Sequence, residues 1–422
     1  MPSFSDLLRV FGRIGLLSFG GPAAQIGLMH QELVDRSGWL KEKEFLGALS
    51  FCMLLPGPEA MQLATFCGWK LRGTLGGVIA GSLFVLPGAA LIFSLVAGYA
   101  AFGDLPLVAS AFLGVKAAVV AIIVQALLGL SRKVLTNRTN AAVALASFAA
   151  LYSSILPFPA VIVLAAALGF VLSRQSATPD LDTSRNHVAN PWRQTVTAVV
   201  VWGLLWLAPV VFAVSAGGFL KDIALFFSQL AVVTFGGAYA VLAYMVQAVV
   251  QDFGWLTTDQ MMDALGLAET TPGPLILVTQ FVATLAGQLQ GGASLALTAG
   301  LLALWCTFIP CFLWIFAGAP HVSRILSNPR LSSALTLISA AVLGVIANLS
   351  LWFTLNLLFA ETTSSPIGAL PVLASFDPIA GVLTVAAIFA MLKLRLPLLV
   401  VLALSTVVAM TLCLLYAHFL RW

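Results

Sequence analysis

The sequence predicts an all-α polytopic membrane protein, with about 13 transmembrane helices arranged as two inverted repeats with broken helices. Three observations support this fold class. Of the 422 residues, 60% are hydrophobic and only 9% are charged, whereas soluble domains carry about 25% charged residues. The hydrophobic residues form segments as long as a bilayer crossing requires. Helix-breaking Pro-Gly-Pro triplets occur twice, at Pro56–Pro58 and at Pro272–Pro274.

The hydrophobic segments divide into six, one and six, with one long polar stretch after the first six. The expected spans are about 6–30, 44–70, 74–100, 106–131, 139–155, 157–173, 194–216, 222–247, 260–286, 291–318, 330–357, 372–392 and 397–419. The corresponding organisation is an N-terminal repeat (1–173), a cytoplasmic linker (174–193), a connecting transmembrane helix (194–216) and a C-terminal repeat (217–422).

Short motifs recur in the second half at a constant offset of 216 residues. Phe19-Gly20-Gly21 recurs as Phe235-Gly236-Gly237, Gly38-Trp39-Leu40 recurs as Gly254-Trp255-Leu256, and the offset from Pro56 to Pro272 is the same. Three motifs in one register predict an internal duplication. Because an odd number of spans precedes the second copy, we expect it to be inverted, and most of the 20 Lys and Arg residues then fall on the cytoplasmic side with the N-terminus.

The broken segments are the first candidate site. A helix that restarts within the membrane presents unpaired N–H groups and a partial positive charge at its N-terminus. Several such ends near the midplane would bind an anion without many cationic side chains. The alternative is a set of kinks used for packing. The candidate substrate-binding residues of these segments are Gly20, Gly21, Pro22, Pro56, Gly57, Pro58, Gly236, Gly237, Thr271, Pro272, Gly273 and Pro274.

Few polar side chains lie at membrane depth, and each has two interpretations. Lys116, about ten residues into its span, is a ligand for the substrate or a counter-ion, or it extends toward an interface. Glu59 and Glu269, beside the breaks, are candidates for coupling protonation to transport or partners of a helix dipole. Gln62 and Gln280 are candidate amide donors or form interhelical hydrogen bonds.

The loop that follows the first span contains acidic and basic residues close together. A solvated turn with mutual ion pairs is the plain interpretation, and Arg36 is the candidate outer attractor for anions.

Several classes of protein are disfavoured because their motifs are missing. The sequence contains no phosphate-binding Gly-x-x-x-x-Gly-Lys-Ser/Thr loop and no His-Glu-x-x-His. We therefore expect neither a nucleotide-driven pump nor a protease, no enzyme activity, no metal site and no cofactor. The net charge of +4 comes from residues in short loops, so nucleic acid is not an expected partner. The five cysteines lie in apolar runs as small hydrophobic residues.

The motifs together resemble the chromate transporter family. The resemblance covers both halves and rests on these stretches: Phe19-Gly20-Gly21-Pro22-Ala23-Ala24-Gln25-Ile26, Leu55-Pro56-Gly57-Pro58-Glu59-Ala60-Met61-Gln62, Leu86-Pro87-Gly88, Gly114-Val115-Lys116-Ala117-Ala118, Phe235-Gly236-Gly237 and Thr271-Pro272-Gly273-Pro274. We include Gln25 of the first stretch among the candidate substrate-binding residues. The second half departs from the pattern where Ala238 replaces a proline.

The resemblance implies a long-chain, two-repeat member in the cytoplasmic membrane that exports chromate and confers chromate resistance. Chromate mimics sulfate, so sulfate is the natural competitor. The residues themselves indicate only an anion transporter. A sulfate or other anion carrier and a passive anion channel stay open as alternatives, as does the oligomeric state.

Overall fold

The computed structural model describes residues 2–103, 105–173, 191–235, 238–365 and 368–419. These residues are mainly helical, which confirms the all-α class. The helices in chain order are α1 (Phe4–Leu17), α2 (Gly21–His30), α3 (Glu42–Cys52), α4 (Glu59–Phe102), α5 (Pro106–Val134), α6 (Arg138–Tyr152), α7 (Phe158–Val171), α8 (Pro191–Ala216), α9 (Gly218–Val233), α10 (Ala238–Val246), α11 (Thr258–Glu269), α12 (Val278–Gly318), α13 (Val322–Leu326), α14 (Pro329–Leu358), α15 (Pro378–Leu392) and α16 (Leu398–Phe419).

Within the described residues, one small β element accompanies the helices. Strands β1 (Thr362–Ser365) and β2 (Gly368–Pro371) pair antiparallel, with Thr362 opposite Pro371. The sequence prediction placed the start of a span at 372. The helix instead begins at Pro378, because the Asp377 carboxylate caps it by accepting hydrogen bonds from the N–H groups of Ile379 and Ala380.

The chain forms two compact units, and each unit draws segments from both sequence halves. Unit 1 comprises Met1–Ser94, Ala167–Val241 and Thr271–Leu335. Unit 2 comprises Leu95–Ala166, Leu242–Thr270 and Thr336–Trp422. The predicted repeats are therefore not the compact units of the fold. Residues 174–190 of the linker predicted at 174–193 lie outside the described residues. α8 begins at Pro191, three residues before the predicted start of the connecting helix at 194.

Within the described residues, six helical segments are long and apolar enough to cross a membrane. They are Glu59–Phe102, Pro106–Val134, Pro191–Ala216, Leu275–Leu326, Pro329–Leu358 and Leu398–Leu415. Two of them contain 44 and 52 residues, about twice what one crossing needs. The chain is thus a multi-pass membrane protein. The total of 13 crossings stays a prediction.

The helices stop and restart at the predicted breaks. α1 ends at Leu17 and α2 begins at Gly21, while α3 ends at Cys52 and α4 begins at Glu59. In the second half, α9 ends at Val233 and α10 begins at Ala238, which is the third break. The fourth follows the end of α11 at Glu269, where a 3₁₀ turn over Leu275–Leu277 precedes α12. Pro-Gly-Pro accounts for the second and fourth breaks, because proline cannot donate the helical hydrogen bond.

Backbone conformations agree at positions related by the 216-residue register. Gly38 and Gly254 have φ angles of 60° and 62°, and Gly57 and Gly273 have φ angles of 127° and 96°. A π-helical turn follows α2 over Gln31–Arg36, and another follows α10 over Gln247–Asp252. An internal duplication leads us to expect such pairs, although the inverted orientation of the copies stays a prediction.

Beyond the Pro-Gly-Pro breaks, the register shifts by three residues. α4 is kinked at Arg72 and Gly73, and α12 is kinked at Gly291 and Gly292 with nearly the same dihedral angles. The second pair is displaced by 219 residues instead of 216, and the 3₁₀ turn Leu275–Leu277 supplies the three additional residues.

Glycines let the helices of unit 1 approach closely in both halves. A methyl group on Gly81 would collide with Thr65 Oγ1 and with the ring of Phe312. In the second half, a methyl group on Gly300 would collide with Thr284 Oγ1 and the ring of Phe93. Small residues at such contacts let helices associate in a membrane, where hydrophobic driving force is lacking.

Candidate functional site

The four breaks meet in two crosswise pairs within unit 1. The Gly57 N–H donates a hydrogen bond to the carbonyl oxygen of Thr234 at 2.8 Å. The Gly273 N–H donates to Ser18, with its carbonyl oxygen at 3.0 Å and its Oγ at 2.9 Å. Ser18 and Thr234 are themselves 216 residues apart, so each Pro-Gly-Pro break of one half bonds the other half's break near Phe19 or Phe235.

Both glycine amides predicted to meet an anion are therefore already hydrogen bonded. Gly57 and Gly273 are buried, and so are Pro58, Pro272 and Pro274, while Pro56 is half-buried. An anion at either glycine amide must replace a carbonyl oxygen as the acceptor. The binding role of these residues stays a prediction. An anion that binds either glycine amide would have to displace its hydrogen bond to Thr234 or Ser18.

The N-terminus of α2 is the more open of the break ends. Gly20 is exposed, Gly21 and Pro22 are half-buried, and no side chain caps the first turn of the helix. Its N–H groups have no intrahelical acceptor. The counterparts Gly236 and Gly237 lie outside the described residues, and Ala238 is the first residue of α10.

Three buried glutamines near the breaks donate hydrogen bonds to backbone carbonyl oxygens. Gln25 Nε2 donates to the carbonyl oxygens of Ser18 (3.1 Å) and Gly273 (2.7 Å). Gln62 Nε2 donates to Pro56 O at 2.7 Å, and Gln280 Nε2 donates to Ala89 O at 2.9 Å. The amide oxygens of all three accept no hydrogen bond within the described part of the chain. Gln25 thus commits both of its N–H bonds to holding two breaks together.

We expect Gln25→Leu to weaken both stability and transport. The substitution removes two hydrogen bonds and leaves the buried carbonyl oxygen of Gly273 without its donor, which costs about 1–3 kcal/mol. Thermal unfolding of the purified protein and anion flux in vesicles measure the two effects. Gln31→Leu, at an exposed position in the π-helical turn after the same helix, is the matched control. Equal unfolding temperatures for Gln25→Leu and the control would contradict the prediction.

The remaining candidates beside the breaks have separate positions. Glu59 is half-buried as the first residue of α4, and Thr271 is buried in unit 1. Glu269 is buried at the last residue of α11 and belongs to unit 2. The Arg36 guanidinium donates to Glu32 Oε1 at 2.7 Å. Arg36 therefore forms an ion pair with Glu32, as expected for a solvated turn whose charged residues pair with one another. Its role as an outer attractor for anions stays a prediction.

Lys116 lies in a charged cluster within unit 2. Its Nζ is 2.7 Å from Asp259 Oδ1 and 3.3 Å from Asp263 Oδ1. Tyr99 OH donates to Asp263 Oδ2 at 2.8 Å. The side chains of Lys116 and Asp263 are 13% and 8% exposed, against 80% for Asp259. In this structure Lys116 is a counter-ion of two carboxylates.

The sequence prediction missed the partners of Lys116. Asp259 and Asp263 lie four residues apart on α11, so both face one side of the helix. Two aspartates at i, i+4 spacing in a segment with few charges were a sequence signal that could have indicated these partners. The Thr257–Gln260 capping box, which fixes the start of α11, was another.

Unit 2 also contains a cavity of about 460 Å³. Its walls carry hydroxyl, amide and aromatic groups, including those of Ser153, Tyr244, Gln247, Asn348 and Trp352. Gln247 begins the second π-helical turn, and such turns occur frequently at functional sites. The neutral polar lining suits a ligand held by hydrogen bonds, and the sequence prediction assigned these residues no role.

Comparisons with known proteins agree with the geometry of a transporter. The sequence model of the family described as chromate transporter matches residues 5–170 and 221–410. The chain is 33% identical over 354 residues to a chromate transport protein of Pseudomonas aeruginosa, covering 82% of this chain and 79% of that protein. It is 30% identical over 355 residues to a probable chromate transport protein of Synechococcus elongatus, covering 82% and 83%. No solved structure is a significant match.

Proposed function

This chain belongs to the chromate transporter family, and we therefore propose that it is a secondary transporter that exports chromate across the cytoplasmic membrane. The observation that carries the proposal is the occurrence of a family match in each half, together with broken helices at equivalent places in both. Paired breaks in the two halves of a hydrophobic chain indicate a transporter site near the bilayer midplane.

Chromate is a tetrahedral dianion, and the breaks suit such a ligand. Backbone N–H groups at helix starts bind anions through hydrogen bonds and the helix dipole. They recognise charge and shape and not the central atom, so sulfate competes with chromate. Gly57 and Gly273 have positive φ angles, which favour glycine, so neither residue has a Cβ of its own beside its N–H group.

We propose that two equivalent hydrogen-bonded contacts, Gly57 with Thr234 and Gly273 with Ser18, open in turn during the transport cycle. In the proposed cycle, a chromate oxygen replaces Thr234 O as the acceptor for the Gly57 N–H, or replaces Ser18 as the acceptor for the Gly273 N–H. Opening one pair while the other stays closed exposes the anion to one side of the membrane at a time. Exchanging one acceptor for another keeps the buried amides satisfied throughout the cycle.

Flux into inside-out membrane vesicles tests the function. Vesicles that contain the protein should concentrate labelled chromate when a pH gradient or a membrane potential is imposed, and unlabelled sulfate should reduce the uptake. Vesicles without the protein are the control. Uptake that only equilibrates chromate would identify a passive channel. Uptake of sulfate with no response to chromate would identify a different anion carrier.

A further inference from the structure

The geometry of unit 2 points to Asp263 as a proton-binding group of the transport cycle, with Lys116 and Tyr99 as the residues that position it. This inference rests on the proposed function, because it names the ion whose movement drives the anion. It differs from the sequence prediction, which placed the coupling carboxylates at Glu59 and Glu269.

The two oxygens of the Asp263 carboxylate have different surroundings. Oδ2 accepts a hydrogen bond from Tyr99 OH at 2.8 Å. Oδ1 is buried and accepts no hydrogen bond within the described residues, with the Lys116 ammonium 3.3 Å away. A buried carboxylate held by one hydrogen bond and one longer ion-pair contact is costly, because its lost hydration is only partly compensated. A proton on this carboxyl group removes that cost, because it removes the charge.

The cluster becomes electrically neutral when it binds one proton. Asp259 and Asp263 are two carboxylates that face a single ammonium, Lys116. With all three ionised the cluster carries one net negative charge, and one proton makes it neutral. Burial penalises the charged form of a carboxyl group. Asp263 is buried and Asp259 is 80% exposed, so the proton belongs on Asp263.

The neighbours of Asp263 can interact with both its ionised and its protonated carboxyl group. A phenol both donates and accepts hydrogen bonds, so Tyr99 can donate to the carboxylate and accept from the carboxylic acid. Lys116 also contacts Asp259 at 2.7 Å, so it has a second carboxylate partner when Asp263 is neutral. The titratable groups that face Asp263 are thus Tyr99 on α4, Lys116 on α5 and Asp259 on its own helix.

The proton step involves no other reactant. Asp263 takes up a proton from water as an O–H bond forms on its carboxyl group, and it returns the proton when that bond breaks. No electrons are transferred. α11 leads directly along the chain into the Thr271–Pro274 break, so a shift of this helix on protonation acts on that segment through the backbone.

Two measurements on the purified full-length protein test the inference. Reconstituted vesicles report chromate accumulation under an imposed pH gradient, chromate exchange without a gradient, and proton movement through an internal pH dye. We expect Asp263→Asn to lower gradient-driven accumulation about tenfold more than it lowers exchange. Chromate-dependent proton movement should fall to that of protein-free vesicles. Asp252→Asn, an exposed aspartate outside the cluster, is the control.

Infrared titration supplies a readout that needs no transport. A carboxylic acid carbonyl band that appears as the pH is lowered, and that is missing in Asp263→Asn but present in Asp252→Asn, would support the inference. The inference would be overturned if the band persisted in Asp263→Asn or if the two variants kept the same gradient response. Wild-type vesicles that move no chromate would overturn the proposed function, and the infrared titration would still decide the role of Asp263.

Discussion

Gly57→Ala and Gly273→Ala are each expected to lower chromate flux to near the level of empty vesicles. At Gly57 the φ angle of 127° suits glycine, and an added Cβ would lie 2.7 Å from Gln62 Nε2 and 2.9 Å from Cys311 Sγ. Backbone strain of this kind costs about 1–3 kcal/mol. The displaced segment also loses the hydrogen bond from the Gly57 N–H to Thr234.

Gly273 is expected to respond in the same way for the same physical reasons. Its φ angle is 96°, and an added Cβ would lie 3.1 Å from Leu277 Cδ1 and 3.2 Å from Phe84 O. The carbonyl oxygen of Phe84 belongs to a helix backbone and cannot move aside as a side chain can. Leucine at either position should have a larger effect than alanine, because the additional atoms enter the same crowded space.

Gly38→Ala and Gly254→Ala are the matched controls. Both glycines have positive φ angles close to 60°, but nothing lies within 4 Å of an added Cβ. They share a positive φ angle and lack the collision. Flux in reconstituted vesicles should be compared at equal amounts of folded protein, judged by gel filtration. Normal flux in folded Gly57→Ala and Gly273→Ala would show that the Pro-Gly-Pro segments are structural kinks.

The sequence was sufficient to predict the positions of the breaks, because their cause is local. Proline and glycine stop a helix through their own backbone chemistry, whatever surrounds them. The 216-residue register could be read for the same reason, since matching backbone angles at Gly38 and Gly254 follow from matching residues. The prediction of an all-α membrane protein rests on composition and segment length, which need no knowledge of packing.

The partners of the breaks could not be predicted, because they come from distant parts of the chain. Gly273 bonds Ser18 across 255 residues, and Gln25 reaches Gly273 across 248 residues. The sequence indicated that the breaks would have unpaired N–H groups. It did not indicate that carbonyl oxygens of other breaks would accept hydrogen bonds from them. The compact units also combine segments from both halves, which a reading of the chain in order does not reveal.

Lys116→Met is expected to destabilise the protein as well as inactivate it. The substitution leaves the ionised form of Asp263 buried without its counter-charge. Breaking a buried ion pair in this way costs about 3–5 kcal/mol, and less under conditions where Asp263 is already protonated. Thermal unfolding in detergent, together with chromate flux in vesicles, measures both effects. Lys133→Met, at an exposed position on the same helix, is the control and should unfold like the wild type.

The double variant Lys116→Met/Asp263→Asn separates a counter-ion from a substrate ligand. If Lys116 balances the Asp263 charge, removing both charges restores most of the lost stability, because no buried charge remains unpaired. If Lys116 instead held the anion, Lys116→Met alone would keep its stability and lose chromate binding, and the second substitution would restore nothing. Wild-type stability and flux in Lys116→Met would show that the ion pair between Lys116 and Asp263 contributes to neither folding nor transport.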